Sequence, residues 1–157
     1  MRKAMLFLAV FALAGSLWAA DPIIGTWKLN IAKSTFPSNA PPAPKEQIEA
    51  YRHLDPGEIE LTYRLTEKDG SSVWEVFTWP AQGGAAKMIK GDIPKNISWI
   101  QTLIAPGEWY VTAMQDGKQI GTRHKTVSRD GKSYRQSWKR TDAQGKPYEI
   151  ILVFDRQ

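Results

Sequence analysis

Turn dipeptides constrain this chain more than any other feature. Asp69-Gly70, Asp116-Gly117 and Asp130-Gly131 each separate two short runs of alternating or apolar residues, and Asp55-Pro56-Gly57, Pro106-Gly107 and Ala143–Lys146 do the same. Asp-Gly is a type I′ hairpin signal, because both central residues of that turn need φ > 0. The runs between the turns are Ile23–Leu29, Gln47–Leu54, Glu58–Thr66, Ser72–Trp79, Lys87–Lys90, Ser98–Ala105, Glu108–Gln115, Lys118–Ser128, Lys132–Thr141 and Tyr148–Phe154. Their lengths suit strands, and consecutive hairpins build an antiparallel meander. Pro37, Pro41, Pro42 and Pro44 make Asn30–Lys45 a loop, with room for one helical turn within Ile31–Phe36. Pro80–Ala85, with Gly83-Gly84, reads as a flexible loop. The expected fold is all-β: an antiparallel up-and-down meander of about 8–10 strands closing into a barrel, which removes exposed sheet edges. The alternative is an open two-sheet sandwich. Dominant hairpin links and the lack of a long crossover favour the barrel.

The N-terminus reads as an address. Arg2 and Lys3 precede a 14-residue apolar run, Ala4–Leu17, followed by small residues at Ala19 and Ala20. The run is too short to span a bilayer and has no polar face. Residues 1–20 are therefore expected to be a signal peptide cleaved after Ala19 or Ala20, leaving 21–157 as one domain in the periplasm or outside the cell. No integral membrane span is expected once it is removed.

Export changes the charge argument. The chain's formal charge is +5, from 21 basic and 16 acidic residues; without Arg2 and Lys3, 19 basic residues face 16 acidic ones, +3. The basic residues are scattered, which is a poor nucleic-acid signal. The absence of cysteine excludes disulfides, thiol nucleophiles and iron–sulfur sites. With only His53 and His124, a His-rich metal site is not expected, and no cofactor motif occurs. No G-x-S-x-G, P-loop, H-E-x-x-H or Asp-rich calcium loop is present, and no catalytic constellation is visible. Asn96-Ile97-Ser98 matches a glycosylation acceptor, which matters only in a eukaryotic host.

Gly25-Thr26-Trp27 on the first strand resembles the G-x-W signature of lipocalins and related calycin barrels. The longer stretch through Leu29-Asn30, Ala32-Lys33-Ser34 and Phe36, with Asp130-Gly131-Lys132 and Ala143-Gln144-Gly145-Lys146-Pro147, resembles small secreted bacterial lipocalin-like proteins of unassigned function. The resemblance implies a lipocalin-like barrel with Gly25 and Trp27 as structural signature, Trp27 plugging one end and Arg156 placed over it.

The Asp-Gly turns also carry register. With Asp130-Gly131 as the loop, Val127 faces Tyr134, Lys125 faces Gln136 and Arg123 faces Trp138. With Asp116-Gly117 as the loop, Tyr110 faces Arg123 and Thr112 faces Gly121. One face then gathers Tyr110, Arg123, Tyr134, Trp138 and Arg140, the candidate ligand-binding residues. Arginine beside aromatic rings suits an anionic head with an apolar tail. Arginines stacked on aromatic rings at the surface are the competing account. Neither face is apolar enough for alternation to identify the inside.

Other groups carry less. Trp74, Trp79, Trp99 and Trp109 are candidates for a pocket wall or plain core. His124 has no partner placed by the register. Glu58 and Glu60 share a face opposite Ile59 and Leu61 and read as a wet outer face. Two functional expectations follow. One is an exported barrel binding a small hydrophobic or amphipathic, anionic molecule in a connected cavity. The other is a protein-interaction or inhibitor-type envelope barrel whose interior is filled by its own side chains.

Overall fold

A computed structural model describes residues 21–54 and 57–157. The expected signal peptide, and Asp55-Pro56 of the first turn, lie outside the described residues. Eleven strands form: β1 (Gly25–Leu29), β2 (Glu46–His53), β3 (Glu58–Thr66), β4 (Ser72–Pro80), β5 (Gly84–Ala85), β6 (Lys87–Lys90), β7 (Ile97–Ala105), β8 (Glu108–Gln115), β9 (Lys118–Val127), β10 (Ser133–Thr141) and β11 (Pro147–Arg156). A single 3₁₀ turn, Ile31–Lys33, falls in the stretch where one helical turn was expected. Asn30 caps it, its side chain accepting a hydrogen bond from the Lys33 amide.

All pairings are antiparallel, in the order β5-β7-β8-β9-β10-β11-β1-β2-β3-β4-β6. β1 sits between β11 and β2, so the meander turns back on itself. The two sheet edges, β5 and β6, are consecutive pieces of one segment separated by Ala86. Gly84 and Ala85 pair with Gln101 and Ile100 of β7, whereas Lys87–Lys90 pairs with β4. The result is a nearly closed barrel. β5 lies within Pro80–Ala85, where the glycine pair predicts a loop.

Alternation sets the inside. Trp27 and Leu29 of β1, Tyr51 of β2, Ile59 and Leu61 of β3, Phe77 and Trp79 of β4, and Ile150, Leu152 and Phe154 of β11 form one buried cluster with Trp109 and Tyr134. At one end the rings pack edge to face or stacked: Trp27 on Tyr134 at 5.6 Å, Tyr134 on Phe154 at 4.7 Å, Trp79 on Trp109 at 6.3 Å. The Arg156 guanidinium covers Trp27 at 4.1 Å and donates to the carbonyls of Pro22, Ile24 and Gly131. Gly25 lies beneath it with φ 141°, and a Cβ there would collide with that guanidinium. Asp21 closes the same end, accepting from the Trp109 indole at 3.0 Å and from the Gly107 amide at 3.1 Å.

The β9–β10 register is the one the Asp130-Gly131 turn implied: Val127 opposite Tyr134, Lys125 opposite Gln136, Arg123 opposite Trp138. The β8–β9 register is not. Gln115 pairs with Lys118 and Met114 with Gln119, but Ala113 pairs with Gly121. Ile120 is the extra residue of a bulge, and every side chain beyond it changes face. Tyr110 therefore lies opposite His124, and Val111 opposite Arg123.

Candidate binding cavity

A cavity of about 240 Å³ occupies the barrel interior between the aromatic end and the β3–β4 turn. Its walls are built by alternation. β3 contributes Leu61, Tyr63 and Leu65, and β4 contributes Val73, Glu75, Phe77 and Trp79. Ala86, Trp99 and Gln101 come from the closing seam and β7, and Val111, Arg123 and Lys125 from β8 and β9. The cross-strand pairs give depth. Trp79 pairs with Ile59 near the aromatic end, whereas Leu65 and Val73 pair at the opposite end.

The floor is polar. Lys125, 3% exposed, donates from Nζ to the Tyr51 hydroxyl at 3.0 Å, and Tyr51 donates to Glu49 Oε2 at 2.5 Å. Tyr134 Oη lies 2.9 Å from the same carboxylate oxygen and 3.0 Å from Gln136 Oε1, and Gln47 donates to Glu49 Oε1. Burial pushes both phenols far above their ordinary range, with the Glu49 charge adding to it. Burial lowers Lys125 to about 8, with Glu49 pulling it up and Arg123 pushing it further down. Burial also raises the Glu75 carboxyl, against the pull of Arg123.

Three buried polar atoms find no hydrogen-bond partner among the described residues: Trp79 Nε1, Gln101 Oε1 and Arg123 Nε. All three residues line this one cavity. Arg123 also takes part in none of the ion pairs formed among the described residues. Its guanidinium lies over the Trp138 ring at 4.3 Å, and Arg140 approaches the same ring at 5.2 Å.

The five residues gathered by the turn registers are thus distributed over the cavity wall, the rings beside it, the aromatic end and the outer face. Arg123 lines the cavity. Trp138 and Arg140 stack beside it, and Tyr134 is wholly buried in the aromatic end. Tyr110 is 38% exposed on the outer face; the bulge at Ile120 removed it from the shared set. Glu108 goes with it, where its Oε1 lies 2.8 Å from His124 Nε2, the partner the register had not supplied. Of the tryptophans, Trp79 and Trp99 line the cavity and Trp109 is core. Trp74 stands outside beneath the Lys90 ammonium, 3.3 Å from the ring centroid. Glu60 is on the outer face but covered, because Arg52 Nε binds it at 2.6 Å.

Glu49, Gln101 and Tyr51 were not singled out from the sequence. They come from strands whose register no Asp-Gly turn carries to β9. The bulge did leave a signal: a glycine inside a strand, Gly121, marks bulges and close approaches. A Cβ there would press within 2.9 Å of Arg140 Cγ and of the Lys139 carbonyl.

No family model matches the sequence, and no curated protein matches it either. The nearly closed antiparallel barrel is compatible with a lipocalin-like barrel. No helix among the described residues is long and apolar enough to cross a membrane, which says nothing of strands. Among those residues no group of three or more His, Asp or Glu is placed to hold a metal ion.

Proposed function

We propose that this barrel is an exported binding protein for a small amphipathic molecule, held in the interior cavity with an anionic end toward Arg123. The gathering of three residues with unpartnered polar atoms in the wall of one cavity carries the reading. A buried polar group without a partner costs about 1–3 kcal/mol, so a side-chain shift that turns Trp79 Nε1 or Arg123 Nε onto a ligand recovers that cost on binding. Glu49 already accepts from Gln47 and Tyr51, and Arg123 is a lining cation whose Nε has no partner. The apolar wall of Leu61, Leu65, Val73 and Phe77 suits a tail. The volume lies just below the roughly 300–1,000 Å³ of pockets for drug-sized molecules, so the ligand is small. An interaction module with a filled interior accounts for none of this. Export rests on the basic, apolar and small-residue pattern of residues 1–20.

Titration with decanoate, followed by fluorescence of Trp79 and Trp99, tests the reading. Saturable binding is expected, weakened about 10- to 100-fold in Arg123→Ala, the loss for one charged hydrogen bond. Absence of saturable binding by the folded protein refutes it.

A further inference from the structure

The cavity floor holds an amine that anion binding does not use. Lys125 is almost fully buried, lines the cavity, and is held through Nζ by the Tyr51 hydroxyl. Tyr51 in turn donates to Glu49, so Nζ begins a short chain of hydrogen bonds that ends on a carboxylate. The ionisable groups around it are Tyr51 and Glu49 on β2, Tyr63 on β3, Glu75 on β4, Arg123 on its own strand and Tyr134 on β10. Burial and Arg123 outweigh Glu49 and bring the amine to about 8, so about a tenth of it is neutral at pH 7. A desolvated lysine next to a second cation is the arrangement that makes an amine nucleophilic toward carbonyl groups.

We propose that Lys125 captures small apolar aldehydes in the cavity as reversible imines. The lone pair of the neutral amine attacks the carbonyl carbon, and the C=O π pair moves to oxygen. The nitrogen gives up a proton and the oxygen gains one, forming a carbinolamine. Loss of the hydroxyl as water, with the second N–H proton, leaves the C=N bond. The balance is amine plus aldehyde to imine plus water, with no oxidant or reductant. Tyr51 Oη, 3.0 Å from Nζ and bonded to Glu49, is placed to take the proton from nitrogen and return it. Trp99, Phe77, Leu61 and Val111 select an aldehyde with an aromatic ring or a short alkyl chain. The inference rests on the cavity admitting small molecules, and not on the anionic head.

The test incubates the full-length protein with cinnamaldehyde, reduces it with sodium borohydride and maps the secondary amine by peptide mass spectrometry. Lys125 is expected to carry the adduct at least about tenfold in excess of any exposed lysine, and Lys125→Met to lose it. Its labelling in the folded wild type should level off above about pH 8, while exposed lysines keep gaining toward the ordinary lysine range. Adducts spread over exposed lysines with Lys125 unmodified overturn the proposal, as does a Lys125 profile that follows theirs. Both readouts use the wild type, so they stand even if Lys125→Met does not fold. Decanoate titration separates the two readings. Saturable decanoate binding with Lys125 unmodified removes the imine and keeps the anion site. A labelled Lys125 without decanoate binding does the reverse.

Discussion

The Trp27 cap of the barrel and the wall of its cavity treat polar groups differently. At the Trp27 end polar groups are met: the Trp27 indole donates to the Ile23 carbonyl at 2.7 Å, Trp109 to Asp21, and Arg156 to three carbonyls. Around the cavity, Trp79, Gln101 and Arg123 each leave a buried polar atom unmet, and Lys125 is a buried cation. The same residue types do different work. Arg156 fastens three chain segments over a tryptophan, whereas Arg123 lies over a tryptophan with its Nε unsatisfied. Satisfied polarity holds the fold together at the Trp27 end, and unsatisfied polarity is stability given up in the wall of the cavity.

Four experiments break or sharpen that contrast. The largest effect belongs to Trp27→Ala, which removes a fully buried ring packed on Tyr134. Denaturant melts should show a loss of about 3–5 kcal/mol; a loss within about 0.5 kcal/mol, the range of surface sites, would place Trp27 outside the core.

Next comes the pH dependence of stability. Lys125 is lowered to about 8 in the folded chain from an ordinary 10.5, so between those values the unfolded chain binds more protons. Stability should therefore rise with pH from about 8, by up to about 3 kcal/mol over the full interval. Tyr51 and Tyr134 act in the other direction. Their folded values are raised, so above pH 10 the unfolded chain loses protons that the folded chain keeps. Urea melts across the range should peak near about pH 10, and Lys125→Met should flatten the rising limb. A wild-type curve flat from pH 7 to 10 would remove the buried charge from the floor.

Arg156→Ala should cost about 2 kcal/mol, from its cation–π contact and charge-assisted hydrogen bonds at an exposed site. The smallest effect is expected at the other arginine. Arg123→Met exchanges a half-buried cation without an ion-pair partner for a chain of similar length, and its melt should match wild type within about 1 kcal/mol or exceed it. If Arg123→Met destabilises as much as Arg156→Ala, the cap and the cavity wall do not differ in kind.

Local turn chemistry made ten of the eleven strands, the antiparallel meander and the β9–β10 register legible. Asp130-Gly131 links adjacent residues, and its consequences stay within about ten residues on either side. Register failed where one bulged residue, Ile120, intervened, because a period of two tolerates no insertion. The polar floor was hidden for a different reason. β2 turns Gln47, Glu49 and Tyr51 inward and leaves Ile48 and Ala50 only half-buried, so alternation of hydrophobicity reads its faces the wrong way round. Glu49 belongs inside because Tyr51, Tyr134 and Gln47 supply hydrogen bonds from three positions, and no short window of sequence contains all of them.

The segment Gly84–Lys90 is the weakest joint in the barrel wall. The β2–β3, β3–β4 and β7 to β11 neighbours are joined over most of their length, whereas this segment grips β7 by two residue pairs and then transfers its hold to β4. Ala86, at the crossing point, is itself part of the cavity wall, its amide donating to the Trp99 carbonyl at 2.8 Å. Widening the barrel there parts only a few hydrogen bonds and leaves the fastened Trp27 end untouched. The circumference around the cavity is thus set by the shortest joint in the wall.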